Sequence, residues 1–437
     1  MVVSQFIGLA SLLPSRHNHG EERGCGQIKI LPSKWKLPFG IEKLANVLEA
    51  DRNRRLPVLS LEDHERYGDT YGQYSGGLFT ILTRDARNIS SLLSEQFPKF
   101  GYGHLRELCF GPLLGQSIFT EDGVEWSASR RLLASEFTSQ HRVESSINLR
   151  PLFYDYTLDT ATDLFLGNST DILSLPFKAK NEGTRFSHAF NEALQWLATR
   201  ERFKSFAWLV TTPGLLRSCS IARDSLETMI IDAQRMERRY GHSTFTDFLG
   251  RATDIGKARD ELMSLLFAAR DSNASLLCWL IYALAREPAV LEKVQHEVLS
   301  LLGIDSDVLP TDSDLTNMRY LDDVIQETLR LFPVVPINGR LCRETTTLPS
   351  GGGDSGNEPI LVPKGTLVCF STYACQRSTK YYGDYATKFR PERWQEFNIQ
   401  SRTKDFTFHP FIGGPRKCLG GDSHVVNNVT LPGLLTH

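Results

Sequence analysis

None of the eight cysteines stands in a Cys-x-x-Cys pair. Zinc ribbons and small disulfide scaffolds need clustered cysteines, so both are excluded. The scatter suits a reducing cytosol. An excess of either charge is lacking too: 49 basic residues face 51 acidic ones. That balance supplies no general pull toward nucleic acid, and no nucleic-acid partner is expected. A membrane span needs about 20 apolar residues. The mildly apolar start, Met1 to Leu13, is shorter, holds Ser4, Gln5 and Ser11, lacks a basic leader and stops at Pro14. It is a poor signal peptide. Gly351-Gly-Gly353 is not followed by Gly-Lys-Ser/Thr, which removes the phosphate-cradle reading and leaves a hairpin loop. His296-Glu297 begins a zinc helix that Ser300 fails to complete.

What the chain does hold is length and helix. Its 437 residues, 41% apolar and 23% charged, suffice for a large globular core. Residues 15 to 60 are polar, basic and proline-containing, and read as a lead-in. Helical periodicity then dominates, over Trp126 to Phe137, over the Phe- and Trp-rich Arg185 to Val210, and over Lys257 to Arg286. The centre of the last, Leu262 to Leu284, is apolar on nearly every face and belongs in a core. Leu321, Val324, Ile325, Thr328 and Phe332 follow the same period until Pro333 ends the helix. From Pro333 to Ser371 short β-branched runs alternate with turn residues, which predicts a small sheet. The fold class is therefore mainly α with a small β region.

Three motifs carry chemistry. Phe411-x-x-Gly414-x-Arg416-x-Cys418-x-Gly420 places a lone cysteine in a glycine-rich loop beside an arginine. A cysteine so placed suits an axial thiolate ligand to haem iron. Glu327 and Arg330 lie three apart on one helix face and can pair. Pro391-Glu-Arg393-Trp394 supplies a second arginine that would complete a buried Glu327–Arg330–Arg393 network. Such a network must be fully hydrogen-bonded, because a buried unpaired charge costs several kcal/mol.

In the order and spacing of these motifs the chain resembles the cytochrome P450 family of haem-thiolate monooxygenases, over roughly residues 20 to 420. Trp126-x-x-x-Arg130 matches the family's early haem-contacting helix. Residues 268 to 273, Ala-Ala-Arg-Asp-Ser-Asn, fall where its long central helix carries Ala/Gly-Gly-x-Asp/Glu-Thr-Thr. The resemblance looks closest to the fungal membrane-associated branch that oxidises n-alkanes and fatty acids. It implies a P450 fold over residues 36–420, a lead-in over 1–35 with a shortened or missing membrane anchor, and heme b on the Cys418 thiolate. It implies that Arg416, Arg130 and Arg340 pair with the haem propionates, helped by the Trp126 indole. Phe411 and the glycines 413, 414 and 420 would lie against the porphyrin. Asp271 and Ser272 would relay protons on the oxygen-binding face. The partners implied are an apolar substrate, dioxygen, a membrane surface and an NADPH-cytochrome P450 reductase. That reductase would dock on Lys417, Arg377, Lys380, Lys388 and Lys404. The location implied is the cytosolic face of the endoplasmic reticulum.

Two departures stand out. Ser272 replaces the usual threonine and Ala269 the usual glycine, which predicts weaker coupling of electrons to product. After Gly420 no helix period appears, and residues 421–437 read as an aberrant tail. The alternative expectation is thus an inactive truncated product that binds haem poorly or not at all. A haem-thiolate isomerase or dehydratase, needing no reductase, is disfavoured by the Asp271–Ser272 pair. The aromatics Phe186, Phe190, Trp196, Phe203, Phe206 and Trp208 fall where the family has its access-channel lid, and suit either helix core or pocket lining.

Overall fold

The computed structural model describes residues 24–32, 40–133, 149–167, 169–173, 182–240, 254–303, 311–397 and 399–421. The tail beyond Gly421, the start before Gly24 and the stretch from 134 to Phe137 lie outside them. The first helices among the described residues are α1 (Ile41–Arg52) and α2 (Leu56–Tyr67), followed by the hairpin β1 (Thr70–Ser75) and β2 (Leu78–Thr83). After β3 (Phe100–Gly101) come α3 (Gly103–Leu114), α4 (Gly123–Leu133), α5 (Leu149–Leu166), α6 (Glu182–Phe203) and α7 (Pro213–Tyr240). The long α8 (Ile255–Arg286) is followed by α9 (Pro288–Leu302) and α10 (Arg319–Leu331), then β4 (Ile337–Cys342), β5 (Thr346–Gly352), β6 (Glu358–Val362) and β7 (Leu367–Ser371). The result is mainly helical with two small sheets, as the sequence predicts.

The five-stranded sheet runs β1-β2-β7-β4-β3, with only the β2–β7 pair parallel; β5 and β6 form a separate antiparallel pair. Periodicity did not reveal β1 and β2, although Gly76-Gly77 marks their turn. Both glycines have positive φ, 56° and 80°, and Ser75 faces Leu78 across them. That is the two-residue turn whose twist matches a hairpin. The 15–60 lead-in also needs correcting: α1 and the start of α2 fall inside it, with Leu44 buried. The glycine tract is only partly loop, since Gly351 and Gly352 end β5 beyond an irregularity in register.

Helix α8 is the axis of the molecule. Asp254 caps it by accepting from Lys257 N–H at 2.7 Å. Its first half packs in a core with α3, α5, α6 and α7; its second half packs in another with α9 and α10. The end of α9 fixes the start of α10, because Glu297 accepts the Tyr320 and Leu321 N–H groups, both at 2.8 Å. These are donors that a helix N-terminus leaves without an intrahelical partner. Among the described residues no single helix is long and apolar enough to cross a membrane.

Candidate functional site

Cys418 lies between two short 3-10 turns, Gly414–Arg416 and Leu419–Gly421. Its N–H donates to Phe411 O at 2.9 Å, closing the loop on itself. Ile412 inside that loop has φ 61°, a left-handed conformation that costs a β-branched residue about 1–3 kcal/mol. Of the eight cysteines Cys418 alone is exposed. Burial pushes the thiols of Cys109, Cys219 and Cys342 up to about 11, and raises Cys278, Cys369 and Cys375 as well. Those sulfurs resist becoming thiolates.

The loop is tied to distant helices. Arg130 on α4 donates from Nη1 to Lys417 O at 2.6 Å, one residue before the cysteine. Arg416 reaches the start of α4, donating to Glu121 O at 3.1 Å and pairing with Asp122. Leu419 packs on the same apolar core as Phe267 and Ala269 of α8. Gly414 is required by packing, not only by a cofactor. Its φ is +68°, and a Cβ there would stand 1.7 Å from Leu93 O; at Gly413 one would stand 2.3 Å from the Phe406 ring. Gly414→Ala should therefore cost more than the ~1–2 kcal/mol of a left-handed alanine, since Leu93 must also move. The denaturation midpoint checks this, and an unchanged midpoint would contradict it.

Beside the loop sits a cluster that the sequence only half announced. The Tyr102 ring carries three guanidiniums, Arg416 at 4.4 Å, Arg106 at 4.6 Å and Arg340 at 4.7 Å from its centroid. Burial alone would raise the phenol's pKa, but Arg340, Arg106 and Arg416 outweigh it and the net direction is down. Arg416 also lies 4.2 Å over the Trp126 ring, and burial pushes it down to about 10. Asp122 organises the cluster: it accepts the Tyr102 and Gly103 N–H groups at 3.0 and 2.7 Å and pairs with Arg343 at 2.6 Å. Burial would raise its carboxyl, but these donors hold it below the usual range. Tyr102, Asp122 and Arg343 were invisible to motif reading, because no spacing links them to the cysteine. A cavity of about 470 Å³ opens on this cluster, lined by Phe97, Phe100, Val124, Trp126, Arg343 and Arg416, among others.

Glu327, Arg330 and Arg393 meet in one buried network. Glu327 takes Arg330 in a two-bond fork, at 2.8 and 2.9 Å, and Arg393 Nε at 3.0 Å. On α8, Asp271 pairs with the buried Arg270 at 3.0 Å. Burial raises the Asp271 carboxyl against the opposing pull of Arg270. The Ser272 hydroxyl donates to Ala268 O within the helix.

Other candidates are repositioned. Phe186 and Phe190 are fully buried and stacked at 5.2 Å, so they are helix core, whereas Trp208 is exposed. Arg377 is no free docking cation: it stacks 3.6 Å over Tyr373, and burial lowers it to about 10. Lys380 faces Asp85 at 3.3 Å and Asp69 at 3.6 Å, while Lys388 and Lys404 stay exposed. No cluster of metal-ligating side chains occurs among the described residues.

A mainly helical fold, an exposed cysteine in a glycine-rich loop and guanidiniums gathered beside it are the arrangement that suits a haem-thiolate protein. The sequence profile described as Cytochrome P450 matches residues 37–422. The chain belongs to the cytochrome P450 family, and its enzyme class is that of the P450 monooxygenases. It is 33% identical to cytochrome P450 monooxygenase alt2 of Alternaria solani, over 96% of this chain and 86% of that protein. It is 32% identical to cytochrome P450 52A3-A of Candida maltosa, over 87% and 80%. Against cytochrome P450 52A13 of Debaryomyces hansenii the identity is 33%, over 79% and 72%. The family binds haem through a cysteine thiolate and draws electrons from a reductase. The residues present fit that group: Arg340 Nη2 and Arg416 Nε and Nη1 are buried without a partner among the described residues. Unpaired buried donors of this kind call for an anion such as a propionate.

Proposed function

We propose that residues 36–420 form the catalytic domain of a monooxygenase that hydroxylates n-alkanes or fatty acids at or near the chain end. The observation that carries the haem-binding part of this reading is the set of unpartnered Arg340 and Arg416 donors converging on Tyr102, with Cys418 two residues beyond Arg416. In it Cys418 holds the iron. Arg130, Arg340, Arg416 and the Trp126 indole hold the propionates, and Phe411, Gly414 and Gly420 line the loop side. Bound haem supplies the activation of dioxygen, with electrons from NADPH through a reductase. The resemblance to the fungal alkane- and fatty-acid-oxidising branch supports the substrate class, and supports a place on the cytosolic face of the endoplasmic reticulum.

Asp271 and Ser272 manage protons. Burial lets Asp271 keep its proton to higher pH than a free aspartate does, which suits a donor. The Ser272 hydroxyl, spending its hydrogen on Ala268 O, keeps its lone pairs free to accept. Ser272→Ala should lower product formation by on the order of 10²-fold, the lower end for a lost proton-transfer group, while dioxygen is still consumed as peroxide. Ser272→Thr should raise the ratio of product to peroxide, because a β-branched side chain is stiffer at χ1. An unchanged ratio in both variants would remove Ser272 from the relay.

The function is tested with the purified protein, a reductase, NADPH and heavy-isotope dioxygen over a series of n-alkanes and fatty acids. One labelled oxygen at the terminal or adjacent carbon is expected. An unlabelled product overturns the monooxygenase reading, and labelling only at internal carbons overturns the chain-end assignment.

A further inference from the structure

Gln376, fully buried, lies between the Glu327 network and the cysteine loop. Its Oε1 accepts His409 N–H at 3.0 Å. Its Nε2 donates to Leu329 O at 3.1 Å and to Arg330 O at 3.0 Å. These carbonyls belong to the last turn of α10, where a helix leaves C=O groups without intrahelical partners. Its own carbonyl accepts Arg330 Nη1 at 2.8 Å. Both amide donors are thereby used, and so is the acceptor.

The far end of this strut is the loop itself. His409 is buried, and its Nδ1–H donates to Phe406 O at 2.8 Å. Its carbonyl accepts the N–H of Ile412, the left-handed residue, at 3.1 Å. The neighbouring Phe411 carbonyl accepts Cys418 N–H. A continuous path of hydrogen bonds and short backbone steps therefore runs from Glu327 through Arg330, Gln376 and His409 to Cys418. A strained backbone persists only where its surroundings over-determine it. Through its hydrogen bonds Gln376 joins the last turn of α10 directly to His409.

We infer that Gln376 is a positioning residue: it sets the cysteine loop against α10 and so fixes where the Cys418 sulfur lies. The inference rests on the haem-thiolate reading. A merely structural helix cap would affect stability without affecting which group binds iron.

The test compares two full-length, haem-loaded variants with the wild type. Gln376→Met keeps the side chain's length and removes its hydrogen bonds. Asp159→Leu is the control; it removes three bonds elsewhere, from Thr170 Oγ1 and from the Ile172 and Leu173 N–H groups, the last two at 3.0 Å. The readouts are the unfolding midpoint, haem per protein, and the ratio of thiolate-type to non-thiolate bands in the reduced carbon monoxide complex. Both variants should lower the midpoint. Only Gln376→Met should shift the band ratio toward the non-thiolate form, by about tenfold, the factor that loss of the one of its bonds reaching the loop, from His409 N–H, supplies. A wild-type ratio in Gln376→Met, or an equal shift in Asp159→Leu, overturns the inference. Should Gln376→Met not fold, Gln376→Glu keeps the acceptor for His409 and is expected to give an intermediate ratio; an unchanged one overturns the inference equally. A wild-type protein that takes up haem but shows no thiolate band overturns the underlying reading, and this inference with it.

Discussion

Cys418→Ser is expected to abolish the red-shifted band of the reduced carbon monoxide complex, and product formation with it. The substitution is nearly isosteric, and the N–H bond from residue 418 to Phe411 O survives it. The loop therefore keeps its shape, and only the donor atom changes. A serine hydroxyl stays protonated at neutral pH and lacks the soft, electron-rich sulfur that pushes density toward O–O cleavage. Haem content should fall less than activity, because Arg130, Arg340 and Arg416 are untouched. Cys109, Cys219, Cys342 and Cys375 are poor substitutes: all are buried, and burial holds their thiols in the neutral form. The absorption spectrum of the variant is the measurement. Survival of the band would mean that another cysteine is the ligand.

What could be read from the sequence divides by the range of the interaction. The cysteine loop and Glu327-x-x-Arg330 are local, so their spacing carries their geometry. Arg393 was reachable because it lies in a recognisable segment of its own. The cluster on Tyr102 was only half reachable: the resemblance names Arg340 and Arg416, but nothing in the sequence brings Tyr102, Arg106 or Asp122 to them. It joins residues from α3, β4 and the cysteine loop, and a single tyrosine or aspartate has no pattern to betray it. Gln376 is hidden for the same reason, since it works through backbone carbonyls and a backbone N–H that any residue types would supply. The glycines carry a second requirement that the motif does not show: a Cβ on Gly413 or Gly414 would collide with Phe406 or Leu93. Their neighbours in space, which are distant in the chain, decide their need. The β1–β2 hairpin is the opposite case: Gly76-Gly77 was a usable local signal that helical periodicity overshadowed.

Glu327→Gln should be nearly as damaging as loss of the ligand, but through folding. The carboxylate, Arg330 and Arg393 are all almost wholly buried. Glu327 Oε1 alone accepts Arg330 Nη2, Arg393 Nε and the Arg390 N–H, and Oε2 accepts Arg330 Nε. A glutamine replaces one oxygen with an NH₂ that must face arginine donors, and it leaves two buried cations without their anion. Breaking such a pair costs ~3–5 kcal/mol, against a typical net stability of ~5–15 kcal/mol. Folded, haem-loaded protein should be largely lost at ordinary growth temperature, and whatever is recovered should unfold at a much lower denaturant concentration. Buried ion pairs can often be exchanged for apolar residues without loss, but here that exchange should fail. The two arginines also satisfy the carbonyls of Gln376, Tyr385, Ala386 and Lys388. The triple variant Glu327→Leu, Arg330→Met, Arg393→Leu would remove the charge problem and orphan those carbonyls, so it should stay well below the wild type in an equilibrium denaturation. Wild-type stability in the triple variant would show that the network is held for its charges alone, and that the segment from Gln376 to Lys388 does not depend on it.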